Sequence, residues 1–369
     1  MQTTQRRYDL DWWRVISIFL VFLHHIGMPF NGDDFHIMNS ESSKLLDDTM
    51  VFFEQFRLPL LFTISGVGTV FAFSKRSWIQ FIKERALRLL IPLVFGVFVI
   101  VPPQTYIEHI TSYSSYLTFY EHILDHIEVN HLWFIENLFY ISVFCIPLIL
   151  FIKSNYAIRC KKVITRFSSK PLGIFLLVLP LIIIKVVSKR YYPEDSTNIT
   201  NLSTTLFYGY FFIIGIILAG TDAVWDSLKK YRKLNLLLVV IATLLFYGYY
   251  FLPNDIASTY WSLSTRWSIW YGVAALVSWT VISTLLGYGQ IWFSKPSTLL
   301  IKCNEAIYPF YILHQTVLII LGYFILQQAW GIAIKLSVLA LSSFIVIICI
   351  YRFVIYPFKL TRFLFGMKK

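Results

Sequence analysis

Residues 10–30 read LDWWRVISIFLVFLHHIGMPF. A run this apolar is long enough to cross a bilayer, which takes about 20 residues as a helix. It also carries Asp11 and Arg14 at one end and His24 and His25 toward the other. A helix that only anchors a chain has no use for such groups, because ionisable residues inside a membrane are costly and tend to mark function. At 100° per residue, Arg14 and His25 stand about 20° apart after three turns and about 16 Å apart along the axis. They therefore share one stripe. Asp11 falls within about 40° of His25 and can pair with Arg14 one turn away. His24 points about 100° away and reads as a packing residue. For Arg14 the alternative is a snorkelling basic residue at the membrane edge, and for His25 a satisfied packing residue.

The same character extends along the chain. Of 369 residues, 57% are hydrophobic and 14% are charged, with 33 Phe, 23 Tyr and 11 Trp, and the mean hydropathy is +0.64. Soluble domains hold about 25% charged residues, so the sequence predicts an all-α integral membrane protein. Ten spans are expected at 12–30, 51–73, 87–104, 132–152, 171–188, 204–221, 234–252, 266–287, 304–327 and 331–351. The reading is one transmembrane domain over residues 1–369, with no soluble domain and the first span retained rather than cleaved.

Lys and Arg set the orientation. With both termini cytoplasmic, the cytoplasmic segments carry 25 of the 32 basic residues and the outer segments 6, with Arg57 inside the second span. That split matches the positive-inside rule. It also accounts for the formal charge of +12 without nucleic acid as a partner. Cys145, Cys160, Cys303 and Cys349 are scattered, and no spacing suggests a metal. Histidines 109, 122, 126 and 131 crowd the outer loop 104–131, which reads as a solvated or interfacial loop rather than a metal site.

Four more stretches carry polar groups. FRLPLLFTISG (56–66) has Arg57 three residues after Glu54, followed by Pro59, Ser65 and Gly66. FIKERALRLLIPLVFG (81–96) brings Lys83, Arg85 and Arg88 to the start of a span; such a cluster suits phosphates or serves topology and anionic lipid. NHLWFIENLFY (130–140) carries His131, Trp133, Glu136 and Asn137. CNEAIYPFYILHQ (303–315) carries Glu305, Tyr308, Tyr311, His314 and Gln315, with Asn304, Tyr308, Tyr311 and Gln315 on one stripe. A polar stripe of this kind needs a wet cavity or a polar partner helix, interhelical hydrogen bonding being the plainer use.

Taken in order, these motifs resemble the family 3 membrane acyltransferases over nearly the whole chain. Arg14 and His25, separated by ten residues, match the family's first-span signature. LPLLFTISG is similar to its second-span segment, ERALRLLIP to its arginine-rich third span, HLWFIENLFY to its Leu-Trp segment and YPFYILHQ to its late Tyr–His segment. DWWRVI, the adjoining histidines and PQTY look most like the glucan-biosynthesis protein C branch, which is associated with succinylation of periplasmic glucans.

The resemblance implies transfer of a short acyl group, acetyl or succinyl, from cytoplasmic acyl-CoA to a hydroxyl of a cell-envelope carbohydrate. The setting would be the bacterial cytoplasmic membrane. No tightly bound cofactor is expected, acyl-CoA being a substrate; the lipid bilayer and partner proteins of glycan biosynthesis are the further partners. The expected catalytic residues are His25, as general base, and Glu136. The expected donor-binding residues are Arg14, Arg85 and Arg88. Asp11, His131, Trp133, Tyr311 and His314 would support or bind the acceptor, and a covalent acyl-histidine is the alternative route. The competing class is a polytopic transporter or flippase for a glycan or lipid-linked substrate, which intramembrane charges also fit; no repeat between halves supports it.

Overall fold

The computed structural model describes residues 6–73 and 76–367. Lys75, Lys368 and Lys369 of the basic count lie outside them. The described chain is helical, with no strand among the described residues. Eight helices among them are long and apolar enough to cross a membrane: Tyr8–Asn31, Lys44–Phe73, Trp78–Glu108, Leu202–Gly220, Arg232–Tyr250, Leu263–Trp292, Thr298–Ile325 and Ile332–Ile355.

Two of the ten expected spans take another form. The expected span 132–152 is a pair, Asn130–Phe144 and Ile146–Lys153, bent by 48°. The break falls at Cys145, two residues before Pro147, whose ring removes a backbone donor and crowds the preceding turn. The expected span 171–188 is the helix Val178–Tyr191, of 14 residues. At about 21 Å it is shorter than the ~30 Å hydrocarbon layer. Its expected first turns form a tight turn instead, where a Cβ on Gly173 would lie 1.8 Å from the Phe167 carbonyl oxygen.

By contact the helices divide into two compact units built from interleaved stretches. The first takes the chain up to Ser17, Glu54–Trp78 and Tyr140–Pro296; the second takes Ile18–Phe53, Ile79–Phe139 and the chain from Ser297 on. The first helix contributes to both.

In the first unit, the helix Arg57–Phe73 packs on Leu202–Gly220 at near-backbone distance. A Cβ on Gly66 would lie 2.1 Å from the Phe212 carbonyl oxygen, and one on Gly215 2.1 Å from that of Thr63. Helices in lipid associate through such small-residue contacts, because hydrocarbon supplies no hydrophobic drive between them. The indole of Trp279 donates to the Ile174 carbonyl at 3.0 Å, so a buried polar edge is satisfied.

In the second unit, the helix Thr298–Ile325 is central. Phe310 meets Phe22 edge-to-face at 5.2 Å, and the Tyr308 hydroxyl donates to the Arg88 carbonyl at 2.9 Å. The third span contains two π-helical turns, Ala86–Leu90 and Gly96–Ile100. Lys335 is buried, and its ammonium is satisfied by Asn39 Oδ1 and the Leu326 carbonyl, both at 2.8 Å.

Gly66→Val should therefore separate the two helices it joins. The expected loss is about 1–3 kcal/mol, read as a lowered thermal midpoint in detergent, and an unchanged midpoint would show that the contact tolerates a side chain.

Candidate active site

Polar side chains converge in the second unit from four spans and one loop. The helix Thr298–Ile325 supplies Tyr311, His314, Gln315 and Thr316 from consecutive turns. Gln104 comes from the end of the third span and His25 from the first helix. Asn130 and His131 open the bent span. Tyr311, His314, Gln315, Thr316, Gln104 and His131 are all buried, while His25 and His36 are partly accessible.

A neutral imidazole has one N–H and one lone pair, so main-chain partners assign the tautomers. His131 Nε2 lies 3.0 Å from the Ile312 carbonyl and donates to it. Its Nδ1 then accepts, and Gln104 Nε2 faces it at 3.4 Å. His314 Nδ1 donates to the Tyr311 carbonyl, leaving Nε2 as the acceptor. His25 Nδ1 is 3.2 Å from that nitrogen and 2.8 Å from the Val21 carbonyl. Both neighbours are acceptors, so His25 carries its proton on Nδ1 and its lone pair on Nε2. The His25 and His314 rings meet edge-to-face at 4.9 Å, and His131 meets His314 in the same way at 5.2 Å.

The remaining donors close around this group. Gln104 Nε2 donates to Thr316 Oγ1 at 2.5 Å, and the Thr316 hydroxyl passes on to the Ile100 carbonyl at 2.7 Å. Gln315 Nε2 donates to Asn130 Oδ1 at 2.7 Å and to Gln104 Oε1 at 3.1 Å. The Tyr311 hydroxyl donates to the His131 carbonyl. Asn130 has φ 48°, a left-handed conformation that Asn tolerates. This lets its side chain accept from the His131 backbone N–H at 2.7 Å. Asn130 Nδ2 faces His36 Nε2 at 3.0 Å, and His36 Nδ1 meets the exposed Glu108 carboxylate at 2.6 Å. A hydrogen-bonded set thus leads from buried His131 to a surface carboxylate.

The structure brings His25, His131, Tyr311 and His314 together. Glu136 stands apart: among the described residues it has neither a hydrogen bond nor an ion pair. Trp133 is half-buried at the start of the helix Trp133–Phe144. Asp11 pairs with Arg14 at 3.2 Å and with Arg6 at 2.9 Å. The Arg85 guanidinium lies over the Phe81 ring, 5.3 Å from its centroid. His126 of the outer loop bonds the Tyr113 hydroxyl at 2.7 Å and packs on Phe119, while His109 bonds the Thr105 carbonyl. No group of three or more His, Cys, Asp or Glu is placed to hold a metal among the described residues. Gln104, Thr316, Asn130, His36 and Glu108 belong to the network but not to the residues that the sequence singled out for the site. Their types are ordinary at helix ends and in loops, and only the PQTY and NHLWFIENLFY segments contain any of them, Gln104 and Asn130.

Gln104→Leu would leave the Gln315 amide, the Thr316 hydroxyl and His131 Nδ1 each short of a partner. The expected cost is about 1–3 kcal/mol in thermal unfolding. Adding Gln315→Leu should cost less than the sum of the two singles, since coupled residues are non-additive; strict additivity would show that the two amides act independently.

The sequence of the acyltransferase domain family matches residues 7–352. Glucans biosynthesis protein C of Escherichia coli (strain K12) is 27% identical over 224 residues, covering 58% of each chain. The protein of the same name from Shigella dysenteriae serotype 1 gives the same figures. The chain thus spans 58% of the length of the curated relatives it matches. No solved structure matches. A family match from Arg7 to Arg352, through the spans that build the histidine site, places this chain in the acyltransferase family of multi-pass membrane proteins.

Proposed function

We propose that this protein is a membrane O-acyltransferase. It moves a short acyl group, acetyl or succinyl, from cytoplasmic acyl-CoA to a hydroxyl of a cell-envelope carbohydrate. Family membership supports acyl transfer, and the relatives' name supports a glucan as the acceptor class. The basic-residue split supports N- and C-termini in the cytoplasm and ten crossings, with the bent pair and the short helix Val178–Tyr191 as the two irregular ones. The bacterial cytoplasmic membrane is the corresponding location.

The observation that carries the mechanism is the His25–His314 contact at 3.2 Å. It leaves the His25 lone pair on Nε2, as a general base requires. In the proposed step, Nε2 takes the proton of the acceptor hydroxyl while its oxygen attacks the thioester carbonyl. The tetrahedral intermediate collapses, the carbon–sulfur bond breaks and the thiolate leaves, taking the proton back from His25. His314 is a positioning residue: its Nε2 lone pair faces His25 Nδ1–H throughout and favours the imidazolium that forms. His131 and Tyr311 hold His314 in place. Arg14, Arg85 and Arg88 are proposed to meet the donor's phosphates, which guanidinium groups suit. Asp11 orients Arg14, and Trp133 and Glu136 are assigned to the acceptor side.

His25→Ala should lower transfer from labelled acyl-CoA by at least about 100-fold with the fold intact, and full activity would end the general-base role. His314→Ala should reduce kcat more than KM and move the pH profile; a pure KM effect would mean that His314 contacts substrate instead. Mass spectrometry of envelope glycans with and without the protein should show one mass increment, which identifies the acyl group. Unchanged glycans would refute the acceptor class.

A further inference from the structure

The first unit holds an apolar cavity of about 160 Å³. Its walls come from the helices Ile158–Ser168, Leu202–Gly220, Asp222–Lys230 and Leu263–Trp292 and from the segment 174–177. None of these elements carries a residue of the histidine network. The lining is apolar apart from Ser168, Ser283 and the indole of Trp279. The indole donates to the Ile174 carbonyl at 3.0 Å, and the Ser168 hydroxyl to that of Thr165 at 3.2 Å. A buried water needs two to four polar partners, and the Ser283 hydroxyl alone does not supply them. A cavity of this kind stays dry and takes hydrocarbon; one of about 150 Å³ accommodates benzene.

One wall opens outward. Val163 and Phe167 line the cavity and are nevertheless 67% and 38% exposed. Leu172 and Leu176, next to the lining segment 174–177, are exposed as well. The opening is therefore bordered by apolar side chains. The helix Ile158–Ser168, IRCKKVITRFS, also carries four basic residues and no acidic one. At 100° per residue, Arg159, Lys162 and Arg166 fall within about 60° of one another. Val163 and Phe167 come next around the helix, and Ile164 and Ser168 beyond them. All three cations are exposed, and none is in an ion pair among the described residues. Helices with one basic and one apolar face lie in the membrane interface, where Lys and Arg attract anionic lipid. Basic stripe, apolar mouth and dry cavity follow one another in the order of headgroup, upper chain and chain end.

We infer that this cavity binds one acyl chain of an anionic phospholipid. The headgroup phosphate rests on the stripe of Arg159, Lys162 and Arg166, which guanidinium and ammonium groups suit. The chain passes Val163 and Phe167, and its end lies beside Trp279 and Ile282, both buried. The cavity admits only part of one chain, so the rest of the lipid stays in the bilayer. This site has no step in the proposed acyl transfer, and its test does not use that activity.

The test uses the full chain, delipidated in a neutral detergent, with native mass spectra and thermal midpoint as readouts. Phosphatidylglycerol, phosphatidylcholine with the same chains, and glycerophosphoglycerol, a headgroup without chains, are titrated separately. Phosphatidylglycerol should survive as a one-to-one adduct and raise the midpoint, at a concentration at least about tenfold lower than phosphatidylcholine. Glycerophosphoglycerol should do neither. Phosphatidylglycerol with a photoreactive diazirine at one chain end should label residues 214–228 or 279–286. Ser283→Leu and Ile217→Phe each put carbon into the cavity, and each should weaken the adduct at least about tenfold. Replacing Arg159, Lys162 and Arg166 together by Gln should remove the preference for phosphatidylglycerol and keep the labelled positions. If neither filled-cavity variant folds, the labelled positions and the Gln variant decide. Equal affinity for phosphatidylcholine in the native protein, labels confined to other segments, or undiminished adducts in the filled-cavity variants would each overturn the inference.

Discussion

Three imidazoles in the second unit each direct one N–H at a main-chain carbonyl: His25 at Val21, His131 at Ile312 and His314 at Tyr311. In a membrane this follows from scarcity of water. A buried donor must find its acceptor within the protein, and a helix offers its own carbonyls one turn back. Once each ring is committed in this way, the tautomer of the neutral ring is set and the other nitrogen carries the lone pair. The direction of every remaining hydrogen bond is then fixed, from Gln104 through Gln315 to Asn130. The carbonyl contacts give the site a single proton arrangement rather than a set of interchangeable ones.

Rigidity in the neighbouring helices maintains that arrangement. Tyr308 and Tyr311 stand one turn apart, and each donates to a carbonyl on another span, at Arg88 and His131. The helix Thr298–Ile325 is therefore pinned at two levels beside His314. In the first unit, backbone-to-backbone packing at Gly66 and Gly215 does the corresponding work. There the close approach is joined by side-chain-to-carbonyl bonds such as that of Trp279 to Ile174.

Much of the first helix was legible from its residues. Apolar length marked the span, and the pairing of Asp11 with Arg14 followed from their spacing. Tyr311, His314 and Gln315 were visible as polar groups in an apolar run. The eight long spans were visible for the same reason. The fifth expected span was overestimated, because a hydropathy window does not register the turn at Pro171 and Gly173. His36 and Glu108 were hidden because they meet across 72 positions of sequence from loops that look solvated. Glu136, one helical turn beyond His131 in the helix Trp133–Phe144, has no hydrogen bond to that cluster among the described residues, so the sequence spacing of a carboxylate and a histidine did not by itself predict a contact.

The π-helical turns of the third span have a consequence for how its length can vary. Each holds one residue more than an α-helical turn, so each rotates everything beyond it by about 100°. Two of them set Gln104 about 200° from where an unbroken α-helix counted from Arg85 would place it. Residues 86–100 thus hold two surplus residues in the span. Losing one of them would let its turn close to a regular α-helical turn and leave Gln104 facing Thr316, whereas losing a residue from a regular turn would swing Gln104 round by about 100°. The two wide turns are therefore the places where the third span can change length without disturbing the network.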